Sequence, residues 1–406
     1  MDFNDTKVEA EFRAQARAFL GKHMKPLAAG EANNMLAERD DPDTIKRAKE
    51  WQACKKDNGW AVLTWPKEFG GRDATPIQSV IWNQEEAKYR VPPNVFAIGL
   101  GMLGPTIMAH GSAEQKAKYI AKMARGDEIW CQLFSEPAAG SDLAGLRTSA
   151  VKKGDDWLIN GQKIWTTGAH FSKWGMIVTR TDPTVQKHAG LTYFIVDMEA
   201  PGIEIRQIKQ INGGSGFNEV FFSDAKVPDS NRLGRVGDGW RVALTTLMNE
   251  RASIGGGGGG MRTEDLIRQA REAELNGKPA IEDGAVRQKI ADFYIRAAGL
   301  KYTGYRTLTA LSKGTTPGPE SSIGKLVGAP LGQELSAFAI ELQGLAGGAL
   351  GAAQEAYLGS PGLRIAGGTD EIMRNILAER VLRLPPEPRL DKESAFRDIP
   401  TGPPSK

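Results

Sequence analysis

The stretch Trp157–Arg180, WLINGQKIWTTGAHFSKWGMIVTR, decides how the chain is divided. WLING and KWGMIVTR are short runs of apolar and β-branched residues, and they read as strands. Asn160-Gly161 signals a tight turn, after which a strand presents Trp165 and Thr167 on one face. The same pattern extends outward through TYFIVDME, IEIRQI and EVFFSD, with Gly, Asp, Asn and Pro between the runs. Residues 129–230 therefore read as an antiparallel β-domain or small β-barrel.

On either side the period changes to that of a helix. Residues 1–128 read as a helical domain. Val8, Phe12, Ala16 and Phe19/Leu20 form one helical stripe, and SVIWNQEEAKYR and AEQKAKYIAKMARG two further helices. The clusters WPKEFGGRDATP and GLGMLGPT read as turns. Residues 231–385 read as a helical bundle, with helices in GDGWRVALTTLMNERASIG, VRQKIADFYIRAAGLKYTGYRTLTAL, SSIGKLVGAPLGQELSAFAIELQG and TDEIMRNILAERVLRL. The proline-rich, charged segment 386–406 reads as an extended or mobile tail. The order helices, sheet, helices defines an α+β multidomain protein.

The 406 residues are 40% hydrophobic and 25% charged, enough for a sizeable core. Lys and Arg exceed Asp and Glu by 52 − 49 = 3, too balanced to argue for nucleic acid or a membrane surface. Two cysteines, Cys54 and Cys131, make no disulfide framework and favour a reducing compartment. Four dispersed histidines argue against a metal site. The N-terminus lacks a signal-peptide layout and no apolar run reaches membrane length, so a cytoplasmic location is expected.

Three segments could carry chemistry. In CQLFSEPAAGSDLAGLRT, Cys131–Thr148, an apolar strand stops at Pro137 and small residues lead to Ser141 and Asp142, either a polar-edged ligand site or a plain strand and turn. In NGQKIWTTGAHFSKW, Trp165 beside hydroxyls suits a flat heteroaromatic ligand, or serves the core. In GWRVALTTLMNERASIG, Glu250 points nearly as Ala243 does and lies one turn from Leu247. A carboxylate in that apolar stripe can serve as a general base or sit in a Glu–Arg pair with Arg251. The glycine run of IGGGGGGMRTEDL follows no strand, so it reads as a hinge or linker rather than a phosphate loop. Gly324-Lys325 lacks the remaining features of a Walker loop. Near the end, LRIAGGTDEIMRN places two glycines before a helix capped by Thr369 or Asp370.

Together, GWAVLTWPKEFGG, HGSAEQKAKYIAKMARGDEIWCQLFSEPAAGSD, INGQKIWTTGAHFSKWGMIVTRTD, FFSDAKVPDSNRLG and IAGGTDEIMRNILAERVL resemble, in order, the motifs of the acyl-CoA dehydrogenase family. The resemblance covers nearly the whole chain. It implies an N-terminal helical domain, a middle β-barrel and a C-terminal helical bundle around FAD. The implied reaction is α,β-dehydrogenation of an acyl-CoA thioester in lipid catabolism, with electrons passed to an electron-transfer flavoprotein. The implied assembly is a homo-oligomer (a dimer of dimers) or a hetero-tetramer. Some similar bacterial proteins handle steroid side chains.

By the same resemblance, Gln132 to Ser141 line the flavin, Leu133, Phe134 and Ser135 closest and Gly140 among them. Trp165, Thr166 and Thr167 pack at the isoalloxazine, and Thr369 and Glu371 meet FAD at the last helix. Ser141 also touches the CoA arm, and Met248 to Arg251 border the acyl-CoA. Many relatives place the catalytic glutamate before the Gly-Thr of the late loop, where this chain has Gly367. A smaller branch, including isovaleryl-CoA and long-chain enzymes, places it on the helix of MNERASIG, which matches Glu250. Gly367 then leaves space that suits a branched or bulky acyl group, and the amide of Gly367 or Gly368 faces the thioester oxygen. An Arg-x-x-Phe-Gly motif of many relatives is missing, with Arg287 and Gln288 as substitutes. The alternative implied by that absence is a non-catalytic or co-catalytic subunit of a heteromeric enzyme.

Overall fold

A computed structural model describes residues 5–28, 41–254, 261–312, 318–389 and 391–400. The glycines 255–260 lie outside the described residues, as does the side chain of Arg251. The chain forms two compact units, one of residues 1–209, 215–253 and 388–406, the other of 210–214 and 254–387.

The first unit opens with helices α1 (Lys7–His23), α2 (Pro42–Asp57), α3 (Pro76–Glu86), α4 (Gly104–His110) and α5 (Ala113–Arg125). Thr6, Asp41, Thr75 and Ser112 cap α1, α2, α3 and α5 through side-chain oxygens that accept first-turn amides. Phe12, Ala16, Phe19 and Leu20 of α1 are buried with Trp51, Trp60 and Trp82. Val8, expected in that stripe, is 67% exposed, because the stripe begins one turn later.

GLGMLGPT is not a turn. Gly99–Leu103 is a π-helical turn that runs directly into α4. Its glycines serve close packing: a Cβ on Gly104 would stand 2.5 Å from the Trp65 ring, and one on Gly99 3.4 Å from Trp130.

The sheet comprises β1 (Trp130–Leu133), β2 (Ser149–Lys153), β3 (Asp156–Thr167), β4 (Trp174–Arg180), β5 (Leu191–Asp197), β6 (Ile203–Ile208), β7 (Phe217–Pro228) and β8 (Arg232–Leu233). Its path is β6-β7-β3-β2-β4-β5-β8, with β1 attached to β4. This departs from the expected antiparallel barrel in two ways. Among the described residues the path is open, β6 and β8 being its two ends. The β1–β4 ladder and the β2–β4 contact are parallel, which apolar alternation cannot reveal because it does not encode strand direction.

Alternation does explain the layers. Trp174, Met176 and Val178 of β4, with Leu191, Tyr193 and Ile195 of β5, face a core shared with α4 and α5. Ile177, Phe194 and Val196 face the other way, with Cys131, Leu133, Trp157, Ile159, Val220 and Phe222. Both faces of β4 and β5 are therefore buried. Helix α6 (Gly239–Ile254) closes the first core with Val242 and Ala243.

The tail returns to this unit. Ala395 bridges to Gln186, and the amides of Phe396 and Arg397 donate to the carbonyls of Val185 and Pro183 at 2.8 and 2.9 Å. Phe396 is buried, its ring centroid 3.3 Å from the Arg180 guanidinium. Arg180, itself buried, donates to the carbonyls of Leu146, Lys187 and Ala144. The segment is anchored because it places an aromatic ring over a buried cation.

The second unit holds α7 (Thr263–Glu272), the β9 (Glu274–Leu275) and β10 (Lys278–Pro279) hairpin, α8 (Gly284–Ser312), α9 (Ser322–Leu342), α10 (Ala352–Ile365) and α11 (Asp370–Ile376). Leu266, Ala270, Val286, Ile290, Phe293, Leu331 and Leu335 form its core. Pro361 and two glycines sit inside α10 and hide it from a reading by pattern.

Candidate active site

β1 carries the site's first residues. Leu133 faces one core and Phe134 the other, so both side chains are committed to packing. Their backbone is what remains for a ligand. The turn after β1 is held by Glu136. Its carboxylate accepts from the amides of Arg147 and Thr148 at 2.6 and 2.9 Å and from Lys163 at 2.8 Å. Lys163, wholly buried in β3, also donates to the Phe134 carbonyl at 3.0 Å. Burial alone would raise the Glu136 carboxyl, but the Lys163 ammonium and the amides hold it below its usual range. Ser135 is half-buried, and Gly140 and Ser141 are exposed.

β3 is bulged twice, between Ile159 and Gly161 and between Lys163 and Thr166. Asn160-Gly161 is therefore a bulge inside a strand and not the expected turn, which lies at Gly154 with φ +65°. A side chain on Gly161 would strike Thr148 at 2.6 Å. The second bulge puts Trp165 at φ +60°, a left-handed conformation rare for an aromatic residue. Trp165 is 54% exposed and stands edge-on to Phe217 at 5.9 Å. Such strain concentrates at functional positions. Thr166 is buried with its hydroxyl unpartnered, and Thr167 is exposed. Asn218 donates to the Thr166 carbonyl at 2.9 Å and meets His170 Nδ1 at 2.9 Å, which fixes the bulge from below.

Glu250 reaches the same unit from α6. Ala243, Leu247 and Glu250 share a helix face, and that face packs toward the sheet. Gln132 Nε2 donates to Glu250 Oε2 at 3.2 Å across 118 residues of sequence. One turn earlier, Thr246 Oγ1 lies 3.1 Å from the Tyr193 hydroxyl and 3.0 Å from Thr106 Oγ1. Burial raises the Tyr193 phenol, and the Glu250 charge raises it further. Met248 is 65% exposed.

In the second unit, Thr369 caps α11, its Oγ1 accepting from the Ile372 amide at 3.2 Å. Gly367 and Gly368 have φ +67° and +97°. Lys325 of α9 donates to the carbonyls of Ala366 and Gly368 and so holds the glycine loop. The failed Walker match gave this lysine no role; the signal that could have marked it is that it is the only cation of α9. Asp370 is buried against Arg364 at 2.7 Å. Glu371 and Arg287 are exposed.

Three buried acceptors among the described residues of the first unit lack partners, Glu128 Oε2 and, in β1 and β3, Gln132 Oε1 and Thr166 Oγ1. Buried polar groups are normally satisfied, so the latter two point to a ligand with polar edges. Thr166 follows the outward Trp165 in β3, and an unmet hydroxyl next to an exposed ring fits a flavin. Among the described residues no group of three or more His, Cys, Asp or Glu is gathered to hold a metal, and no helix is long and apolar enough to cross a membrane.

The N-terminal, middle and C-terminal domains of acyl-CoA dehydrogenases match residues 6–127, 131–225 and 237–382. The chain belongs to the acyl-CoA dehydrogenase family, whose members are FAD-dependent oxidoreductases. It is 35% identical to the acyl-CoA dehydrogenase IpdE1 of Mycobacterium tuberculosis over 93% of this chain and 98% of that one. It is 40% identical to FadE34 of the same organism over 82% of its own length, and the match spans 46% of FadE34. Two solved structures, the Tcur3481-Tcur3483 steroid acyl-CoA dehydrogenase and the ChsE4-ChsE5 complex of M. tuberculosis, are each 27% identical with a TM-score of 0.77, covering 95% of this chain and 100% of theirs. The fold is thus the three-domain one with helical ends and a middle sheet.

Proposed function

We propose that Glu250 removes the α-proton of an acyl-CoA thioester as the β-hydrogen leaves as hydride, giving the 2-enoyl-CoA. The observation that carries this reading is the Glu250 carboxylate on the sheet-facing side of α6, bonded to Gln132, while Gly367 offers no side chain. When bound, FAD supplies the hydride acceptor and passes electrons to an electron-transfer flavoprotein. The backbone at Leu133 to Ser135, the segment to Gly140 and Ser141, and Trp165, Thr166 and Thr167 hold the flavin in the first unit. Arg287, Thr369 and Glu371 are the assignments in the second. Ser141, Met248 and Arg251 border the substrate, and the amides of Gly367 or Gly368 donate to the thioester oxygen as negative charge builds there.

The substrate we favour is a bulky acyl-CoA, steroid-like or branched. Gly367 frees volume, and one solved relative is a steroid acyl-CoA dehydrogenase. The protein works in the cytoplasm, in keeping with two free thiols, as an oligomer. The second reading, a co-catalytic subunit, is favoured by relatives solved as pairs of different chains.

The test is the anaerobic visible spectrum of the purified protein titrated with straight, branched and steroid-like acyl-CoAs. Bleaching of the flavin band is expected with a bulky one. Glu250→Gln should keep the flavin and lose at least about a hundredfold in reduction rate, the lower end for a general base. Full activity in that variant removes Glu250 from the mechanism. A colourless purified chain favours the subunit reading.

A further inference from the structure

Gln132 lies in the segment expected to line the flavin, and its side chain meets Glu250 at 3.2 Å. An ionised carboxylate accepts and cannot donate, so the amide must turn its NH2 toward Glu250. That orientation leaves Gln132 Oε1 buried with no partner. A glutamine placed for packing alone would satisfy both ends, because an unmet buried acceptor is costly. The contact also joins two fixed elements. β1 is locked in parallel register to β4, and α6 is fixed to the sheet by the Thr246–Tyr193 contact and to α4 by the Thr246–Thr106 contact.

We propose that Gln132 is a positioning residue for Glu250: its amide N–H holds the carboxylate ionised and in one rotamer before substrate enters. This rests on the reading of Glu250 as the base. A hydrogen bond to the charged form favours that form, so Gln132 opposes the apolar setting of α6, which by itself would keep the proton on Glu250. The amide carries no charge, so it orders the carboxylate without the deep loss of basicity that an ion pair would impose. Facing Glu250 from β5 is the Tyr193 phenol, neutral because burial raises it. From α4, His110 meets Thr245 at 2.8 Å, and burial lowers its imidazole. Arg241, on α6 itself, acts on His110 in the same direction.

The test uses the flavin-loaded enzyme with Gln132→Met, which keeps length and removes the donor, and Gln132→Glu, which adds a second carboxylate. The acid limb of kcat/KM against pH is expected to move up by about one pH unit in Gln132→Met, since one unit corresponds to about 1.4 kcal/mol, the scale of one such bond. It should move further in Gln132→Glu through like-charge repulsion. An infrared titration of the Glu250 carboxyl, isolated by difference against Glu250→Gln, should shift in the same order and does not depend on turnover. Limbs and infrared titrations that superimpose on the wild type in either folded variant overturn the proposal. If wild-type flavin never bleaches or Glu250→Gln stays active, the reading of the base fails instead, and the infrared titration still decides whether Gln132 holds Glu250 ionised.

Discussion

The Glu136–Lys163 pair shows what one residue does for the site. Lys163 is wholly buried and bonds both the Glu136 carboxylate and the Phe134 carbonyl, so it ties the end of β1 to β3. Lys163→Met strands a buried carboxylate, which should cost about 3–5 kcal/mol in urea unfolding. The double variant Glu136→Gln with Lys163→Met should recover much of that loss, because no uncompensated charge remains. At this scale the sequence exposes chemistry but not partnership. Glu250 is legible as a carboxylate in an apolar stripe, and Gly367 as a missing one. That Gln132 meets Glu250, or Lys325 the glycine loop, depends on strand and helix placement over long separations, which no local pattern contains.

Among elements, α1 and α3 are joined by one buried acid. Glu85 of α3 accepts from Arg13 and Arg17 of α1 at 2.9 and 2.7 Å and from Lys88 at 2.9 Å. Burial alone would raise this carboxyl, but the three cations hold it down to about 2, against an ordinary value of 4.5. The folded value lies below the unfolded one. Its contribution is therefore complete above pH 4.5 and is lost as pH falls toward 2. The scale is about 3 kcal/mol from the shift. Urea midpoints at pH 7 and pH 3 should fall steeply for the wild type and less for Glu85→Gln, which starts lower. Gly104→Ala tests the π-helical entry to α4, since the new methyl meets the Trp65 ring. It should destabilise by about 1–3 kcal/mol, read as a lower melting temperature. Periodicity located α1, α3, α5, α6, α8 and α9 and the principal strands. It failed at Gly99–Leu103 and in α10, where glycine and proline read as breakers but serve close packing or lie within a helix.

For the whole molecule, the chain leaves the first unit at Ser253 and rejoins it at Pro388. Phe396 completes the first unit by covering Arg180, and Lys187 pairs with both Asp142 and Asp391 beside it. A chain ending at Glu387 should show faster amide exchange in β4 and β5 while the second unit's core around Phe293 keeps its protection. Phe396→Ala should lower stability by up to about 3–5 kcal/mol and give the same exchange pattern. The order helices, sheet, helices was visible from a change of period alone. The open strand path and its parallel ladders were not, since alternation marks which face is buried and says nothing about direction or closure.

The returning tail also sets a schedule for biosynthesis. Phe396 follows every other element of the first unit, and the described second unit as well, along the chain, so it leaves the ribosome after them. Until Phe396 emerges, Arg180 lacks its aromatic cover and the loop between β4 and β5 its bonds to the amides of Phe396 and Arg397. The first unit, although nearly all of it is made first, is the last to be finished.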